Sequence, residues 1–180
     1  AAESKLSGVG YIDFINSVWY QRNIQIPAEW AGKDIKLNFG AVYYTSEVYI
    51  DGQFVGRHYG GSDSFSFDIT KWVADGKEHS LVVHAESDLR NGNQPGGKQC
   101  MNYYSQGCSY TRTTGIWQTV WMEFVPEKYL HSFKFYPDAA NGKVRVEVVA
   151  DDEVEVQLYW HGRLCGYGTV SYTHLTLPTS

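Results

Sequence analysis

Alternation of period two, cut at short intervals by turn residues, constrains this chain more than any other feature. Side chains that alternate between apolar and polar line opposite faces of a β-strand, and no stretch carries a helical period of useful length. In "VWYQRNIQIP", Trp19, Gln21, Asn23 and Gln25 face opposite to Val18, Tyr20, Arg22, Ile24 and Ile26, and Pro27 ends the strand. "KDIKLNFGAV" reads as the next strand. "SEVYIDGQFVGRH" is the clearest hairpin, because Asp51-Gly52 between apolar runs suits a tight turn that needs positive φ. "SFSFDITKWV" gives a strand followed by a short helical turn capped by Asp68, and "GKEHSLVVHAES" a strand entered from the turn Asp75-Gly76. The expected fold class is all-β, a β-sandwich or jelly roll.

Regularity stops between Ser87 and Cys108. This stretch holds Gly92, Gly96, Gly97, Gly107 and Pro95 among amides and aromatics. A connection this long in a compact domain is usually functional or disordered, and its tyrosines and amides favour an ordered, functional loop. "SYTRTTGIWQTVWMEF" then returns the chain to a sheet: hydroxyls gather around Arg112, and Ile116, Gln118, Val120 and Met122 alternate with Trp117, Thr119, Trp121 and Glu123. After Pro126 simpler strands follow, joined at Asn141-Gly142, Asp151-Asp152 and His161-Gly162. The carboxylates Glu153 and Glu155 alternate with Val154, Val156 and Leu158, which describes a solvated strand face rather than an acid–base pair. "VYIDGQFVG" and "LYWHGRLCG" share one pattern and read as two similar hairpins. "VSYTHLTLPTS" resembles translated adapter or vector sequence, so residues 171–180 are set aside as a non-native scar.

Composition narrows the function. A net charge of -5 with no basic stripe disfavours nucleic acid as a partner. No apolar run approaches a membrane span. Neither the histidines nor Cys100, Cys108 and Cys165 have metal-ligand spacing, so no metal and no cofactor are expected. The odd cysteine count favours free thiols and a reducing, cytoplasmic compartment, with a Cys100–Cys108 pair as the alternative. No signal peptide is visible, although the chain opens on Ala1 and leaves room for a preceding segment. Fourteen Tyr and six Trp suit both sheet formation and the docking of flat polar ligands.

Three stretches in the same order, "ESKLSGVGYIDFINSVWYQRNIQIP", "LNFGAVYYTSEVYIDGQFVGRHYGGSDSFSFDIT" and "GKQCMNYYSQGCSYTRTTGIWQTVWMEFVP", resemble the N-terminal sugar-binding domain of glycoside hydrolase family 2, the β-galactosidases, β-glucuronidases and β-mannosidases. The resemblance implies a galactose-binding-domain-like jelly roll over residues 1–126 and an incomplete immunoglobulin-like β-sandwich over 127–170. It also implies retaining hydrolysis of a β-glycoside or oligosaccharide by two glutamates about 5 Å apart. In the family these sit on a (β/α)₈ barrel, the acid–base glutamate after an asparagine. This sequence contains no Asn-Glu pair and no barrel pattern. The chain is therefore expected to hold no catalytic residue and to be inactive alone, with the barrel as its intramolecular partner and room for a homo-oligomer of the full enzyme.

The resemblance further implies that two loops reach the sugar pocket, one at Glu3-Ser4-Lys5 and one ending at Ser109-Tyr110-Thr111-Arg112. Where some β-galactosidases carry a substrate-touching asparagine and aspartate, Ser4 and Ser109 stand here, a departure for which Gln99 or Tyr110 would have to substitute. Arg112 matches the pattern better, and its fork of donors suits bidentate pairing with a carboxylate that would lock the loop. Gly115 is expected to permit a close backbone approach, and Trp117 to pack within the sandwich or against the barrel rather than stack on a sugar. The alternative reading is a free-standing carbohydrate-binding module; a third is a purely structural interaction domain.

Overall fold

The computed structural model describes residues 2–170 and 174–178. The chain divides into two compact units, Ala1–Phe124 and Val125–Ser180.

In the first unit the alternating segments become β1 (Ser17–Gln25), β2 (Asp34–Phe39), β3 (Val42–Tyr43), β4 (Thr45–Ile50), β5 (Gln53–Tyr59), β6 (Phe65–Asp68), β7 (Glu78–Glu86), β8 (Gly115–Ile116) and β9 (Val120–Val125), with one short helix α1 (Thr70–Val73). One sheet runs β1-β7-β4-β5, a second β6-β2-β9, and β3 pairs with β8. The inward residues of both larger sheets form one core: Ile24, Leu37, Phe39, Val48, Ile50 and Val83 are buried, with Phe65, Ile116, Val120 and Met122 packed against them. Phe39 stacks on Phe65 with ring centroids 4.7 Å apart. Truncating a fully buried phenylalanine such as Phe39 costs about 3–5 kcal/mol.

Turn chemistry sets the registers. Asp51 and Gly52 take φ of 49° and 77°, the positive pair that matches the twist of a two-residue hairpin. Asp51 also reaches His79, whose Nδ1 lies 2.7 Å from Asp51 Oδ2 and whose Nε2 lies 2.8 Å from Asp75 Oδ1. The buried imidazole thus ties together the two Asp-Gly turns legible in the sequence. These hydrogen bonds, led by that to Asp51, raise the His79 pKa above its ordinary value despite burial. Asp68 accepts from the Thr70 N–H at 3.0 Å, so it supports the start of α1 from one residue before the cap position, which Ile69 occupies.

The expected strand over 116–123 is interrupted. Ile116 ends β8, and the Trp117 and Gln118 N–H groups both donate to the Ala41 carbonyl before β9 begins at Val120. The interruption lets one run of alternating sequence serve two different sheets.

The second unit holds β10 (Leu130–Asp138), β11 (Lys143–Ala150), β12 (Val154–Trp160), β13 (Arg163–Val170) and β14 (His174–Pro178), paired as β10-β11-β14 and β12-β13. Val144, Val146, Val148 and Ala150 are buried with Val154, Val156 and Leu158 against them, while Glu153 and Glu155 are exposed. The acidic run is a solvated strand face, as its alternation predicts. Of the stretch set aside as a scar, residues 171–173 and 179–180 lie outside the described residues, and residues 174–178 pair antiparallel with β11.

Candidate carbohydrate site

The long loop between β7 and β8 is ordered by its own side chains. Gln99 and Tyr110 form an isolated parallel bridge: Tyr110 N–H donates to Lys98 O and Cys100 N–H to Tyr110 O, both at 2.8 Å. The extended backbone that follows alternates in its contacts. Arg112 and Thr114 turn inward to the N-terminal segment, and the intervening Thr113 N–H meets Gln99 Oε1 at 2.7 Å.

Arg112 is 4% exposed and holds both sides of this arrangement. Its Nη1 donates to Asn102 O at 3.2 Å and, more weakly, to Tyr103 O at 3.4 Å; its Nη2 donates to Asp13 O at 2.8 Å and to Ile12 O. The guanidinium also lies 4.0 Å from the Phe14 ring centroid. Thr114 Oγ1 continues the lacing with a bond to Ile15 O at 2.8 Å. Within this chain Nη1 and Nη2 thus meet main-chain carbonyls rather than a carboxylate of a neighbouring loop, and Nε is buried without a partner among the described residues. A buried guanidinium with five donors can satisfy several carbonyls that both loops would otherwise leave unpaired.

Gly115 is required where it stands. Its φ is +83°, and a Cβ there would lie 2.2 Å from Tyr20 Oη, the oxygen that accepts the Ile116 N–H at 3.2 Å. Burial raises the Tyr20 pKa, the bond from Ile116 N–H lowers it, and the charge of Glu3 raises it again. Glu3 is itself buried, with no hydrogen-bond partner for either carboxylate oxygen among the described residues.

Above Arg112 opens a cleft of about 590 Å³ lined by Ser4, Ser105, Gln106, Ser109, Tyr110, Thr111 and neighbouring backbone. Ser4 caps a 3₁₀ turn, its Oγ accepting the Leu6 N–H at 3.2 Å. Tyr110 is 64% exposed, and Ser109 is held by its N–H to Gln106 O at 3.0 Å. The structure therefore brings Ser4, Ser109, Tyr110 and Arg112 together. Gln99 lies apart: it lines a second cleft of about 510 Å³, together with Tyr43, Tyr44, Asp63, Lys98 and Trp117. Trp117 is 45% exposed at the rim of that second cleft, so within this chain the sandwich does not enclose it. Sequence reasoning missed this group because four separate segments supply it; the paired glycines 60–61 and 96–97 were the only local signal. A further opening of about 540 Å³ between the edge strands β1 and β9 is lined at its base by the buried core residues Leu37, Leu81 and Val83 and is a gap between two sheets. Cys100, Cys108 and Cys165 are free thiols, and no metal-ligand cluster occurs among the described residues. No helix among the described residues is long and apolar enough to cross a membrane.

The first unit is thus an antiparallel β-sandwich with a hydroxyl-rich cleft among its loops. Residues 12–126 match the family model for "Glycosyl hydrolases family 2, sugar binding domain", and the chain belongs to that family. It is 25% identical over 126 residues to a β-galactosidase of Thermoanaerobacter pseudethanolicus, covering 70% of this chain and 16% of that protein. It is 30% identical over 116 residues to a putative β-glucuronidase of Formosa agariphila, covering 64% of this chain and 13% of that protein. Among solved structures, the β-glucuronidase of Ruminococcus gnavus in complex with D-glucuronic acid superposes with a TM-score of 0.71 at 22% identity, covering 93% of this chain and 31% of that one. The chain thus spans under a third of each of these relatives. It corresponds to the N-terminal part of family 2 β-glycosidases and does not include their catalytic barrel.

Proposed function

We propose that this chain is the non-catalytic front of a retaining β-glycosidase, and that its first cleft is one wall of the sugar pocket. The observation that carries the reading is the meeting of Ser4, Ser109 and Tyr110, from segments over a hundred residues apart in sequence, over one buried arginine. Hydroxyls that both donate and accept match the hydroxyls of a pyranose, and the tyrosine ring offers an apolar face beside them. Arg112 acts here by position: it fixes the loop, with Nη1 and Nη2 engaged by carbonyls. Bond cleavage is assigned to a carboxylate pair on the barrel, which the full enzyme supplies.

The test is turnover of aryl β-glycosides by purified residues 1–180. The expected rate equals a matched blank, and turnover well above it would overturn the division of labour. Titration with galactose, glucose, mannose and glucuronate, followed by amide NMR shifts, reports the pocket. Shifts centred on Ser4 and Ser109 support the wall. Tight binding by the isolated chain would favour the free-standing carbohydrate-binding module instead.

A further inference from the structure

We infer that the second cleft is a separate binding site for a pyranose unit of a β-linked saccharide. Its volume of about 510 Å³ falls within the range of small-molecule sites, about 300–1,000 Å³. Its walls are held in place before any ligand arrives. The buried Tyr43 hydroxyl donates to Pro95 O, which pins the 95–99 loop, and Trp117 Nε1 donates to Gly61 O at 2.8 Å, which pins the 60–63 loop. Gly61 lies flat on the Tyr43 ring: a Cβ there would fall 2.0 Å from Tyr43 Cδ2.

The polar groups are left with spare capacity that suits a sugar. Gln99 Oε1 is taken by the Thr113 N–H, so its amide N–H₂ remains to donate. Asp63 is exposed and has no hydrogen-bond or ion-pair partner among the described residues, and a Cβ on Gly60 would come 2.7 Å from its Oδ2. A carboxylate accepts from two adjacent hydroxyls at once, while the Gln99 amide donates to hydroxyl or ring oxygens and the Lys98 ammonium, 6.0 Å from the Tyr110 ring centroid, adds a positive charge at the rim. Tyr44 and Trp117 supply aromatic faces whose negative quadrupole attracts the C–H face of the ring. A carboxylate at the site opposes phosphate ligands, and donors paired with an acceptor beside aromatic faces fit a neutral polyol better than an apolar guest.

The barrel plays no part in this site, whose walls all come from this chain. The experiment is titration of ¹⁵N-labelled residues 1–180 with lactose and cellobiose, read on the amides of Gly60, Gly61, Gly97 and Lys98 and on the Trp117 indole N–H. Saturable shifts of these signals are expected, with Asp63→Ala weakening affinity about tenfold and leaving the unfolding midpoint unchanged. Lys98→Ala, on an exposed side chain, provides a second variant with a smaller loss. No saturable shift at these signals overturns the inference, as does unaltered affinity in both variants. Shifts confined to Ser4, Ser109 and Tyr110 also overturn it while supporting the first cleft as a sugar wall, so the two readings fail separately.

Discussion

The two clefts lie on either side of one contact, Gln99 Oε1 to Thr113 N–H, and Thr113 lines both. They are built by opposite means. The first is a rim of hydroxyls over a buried cation that gathers carbonyls from residues 12, 13, 102 and 103. The second is a frame of aromatic rings whose polar atoms are tied to loop carbonyls, with glycines where no side chain fits. A charge at the centre makes the first cleft dependent on a single residue, whereas the second spreads its support over Tyr43, Trp117 and Gly61. The difference can be broken by mutation.

Arg112→Met should have the largest effect. It leaves buried carbonyls unpaired and unlaces residues 12–15 from the loop, at a cost of about 3 kcal/mol. Thermal unfolding measures the loss, and Arg112→Lys should not restore it, since one ammonium cannot span the carbonyls a planar fork reaches. Gly61→Ala strikes the other cleft. Its Cβ overlaps the Tyr43 ring, and overpacking of this kind costs about 1–3 kcal/mol. Shifts in the amide spectrum should stay near residues 43–44 and 60–63 and spare Ser4 and Ser109. Gln99→Leu acts on the shared wall: the Thr113 N–H loses its acceptor, about 1 kcal/mol is lost, and both clefts should respond in the spectrum.

The smallest effect is a pH dependence that should leave the two clefts equal. His79 lines neither cleft, and its folded pKa is raised. Its contribution to stability is therefore fully present below about pH 6.5, the ordinary imidazole value, and is lost as pH rises through the raised folded value. Asp51 and Asp75 have lowered values, each through the hydrogen bonds it accepts, so their contributions are lost as pH falls through those lowered values. Denaturant midpoints across pH should show a decline beginning above about pH 6.5 that His79→Gln flattens.

The same contrast explains what could be read from the residues. The hairpin turns were legible because positive φ leaves few residue choices: Asp51-Gly52 and His161-Gly162 both adopt it, and both hairpins carry a register shift one position before the tyrosine of the shared pattern. Arg112 and Gly115 were legible as special within one contiguous motif. The partner of Arg112 was not, because backbone carbonyls leave no trace in residue identity. Nor was the break at Trp117–Thr119, where the alternation itself continues and tertiary pairing with Ala41 divides the strand. The second cleft was hidden for a third reason: residues 43–44, 60–63, 95–99 and 117 meet only once the sheets have closed.

The most direct measurement of the central claim is kcat/KM for an aryl β-glycoside with the complete gene product and its Tyr110→Ala variant, alongside their unfolding midpoints. Tyr110 is exposed at the cleft, so the substitution should leave the midpoint unchanged while kcat/KM falls about tenfold. Equal kcat/KM in the two proteins would contradict the assignment of this cleft to the sugar pocket.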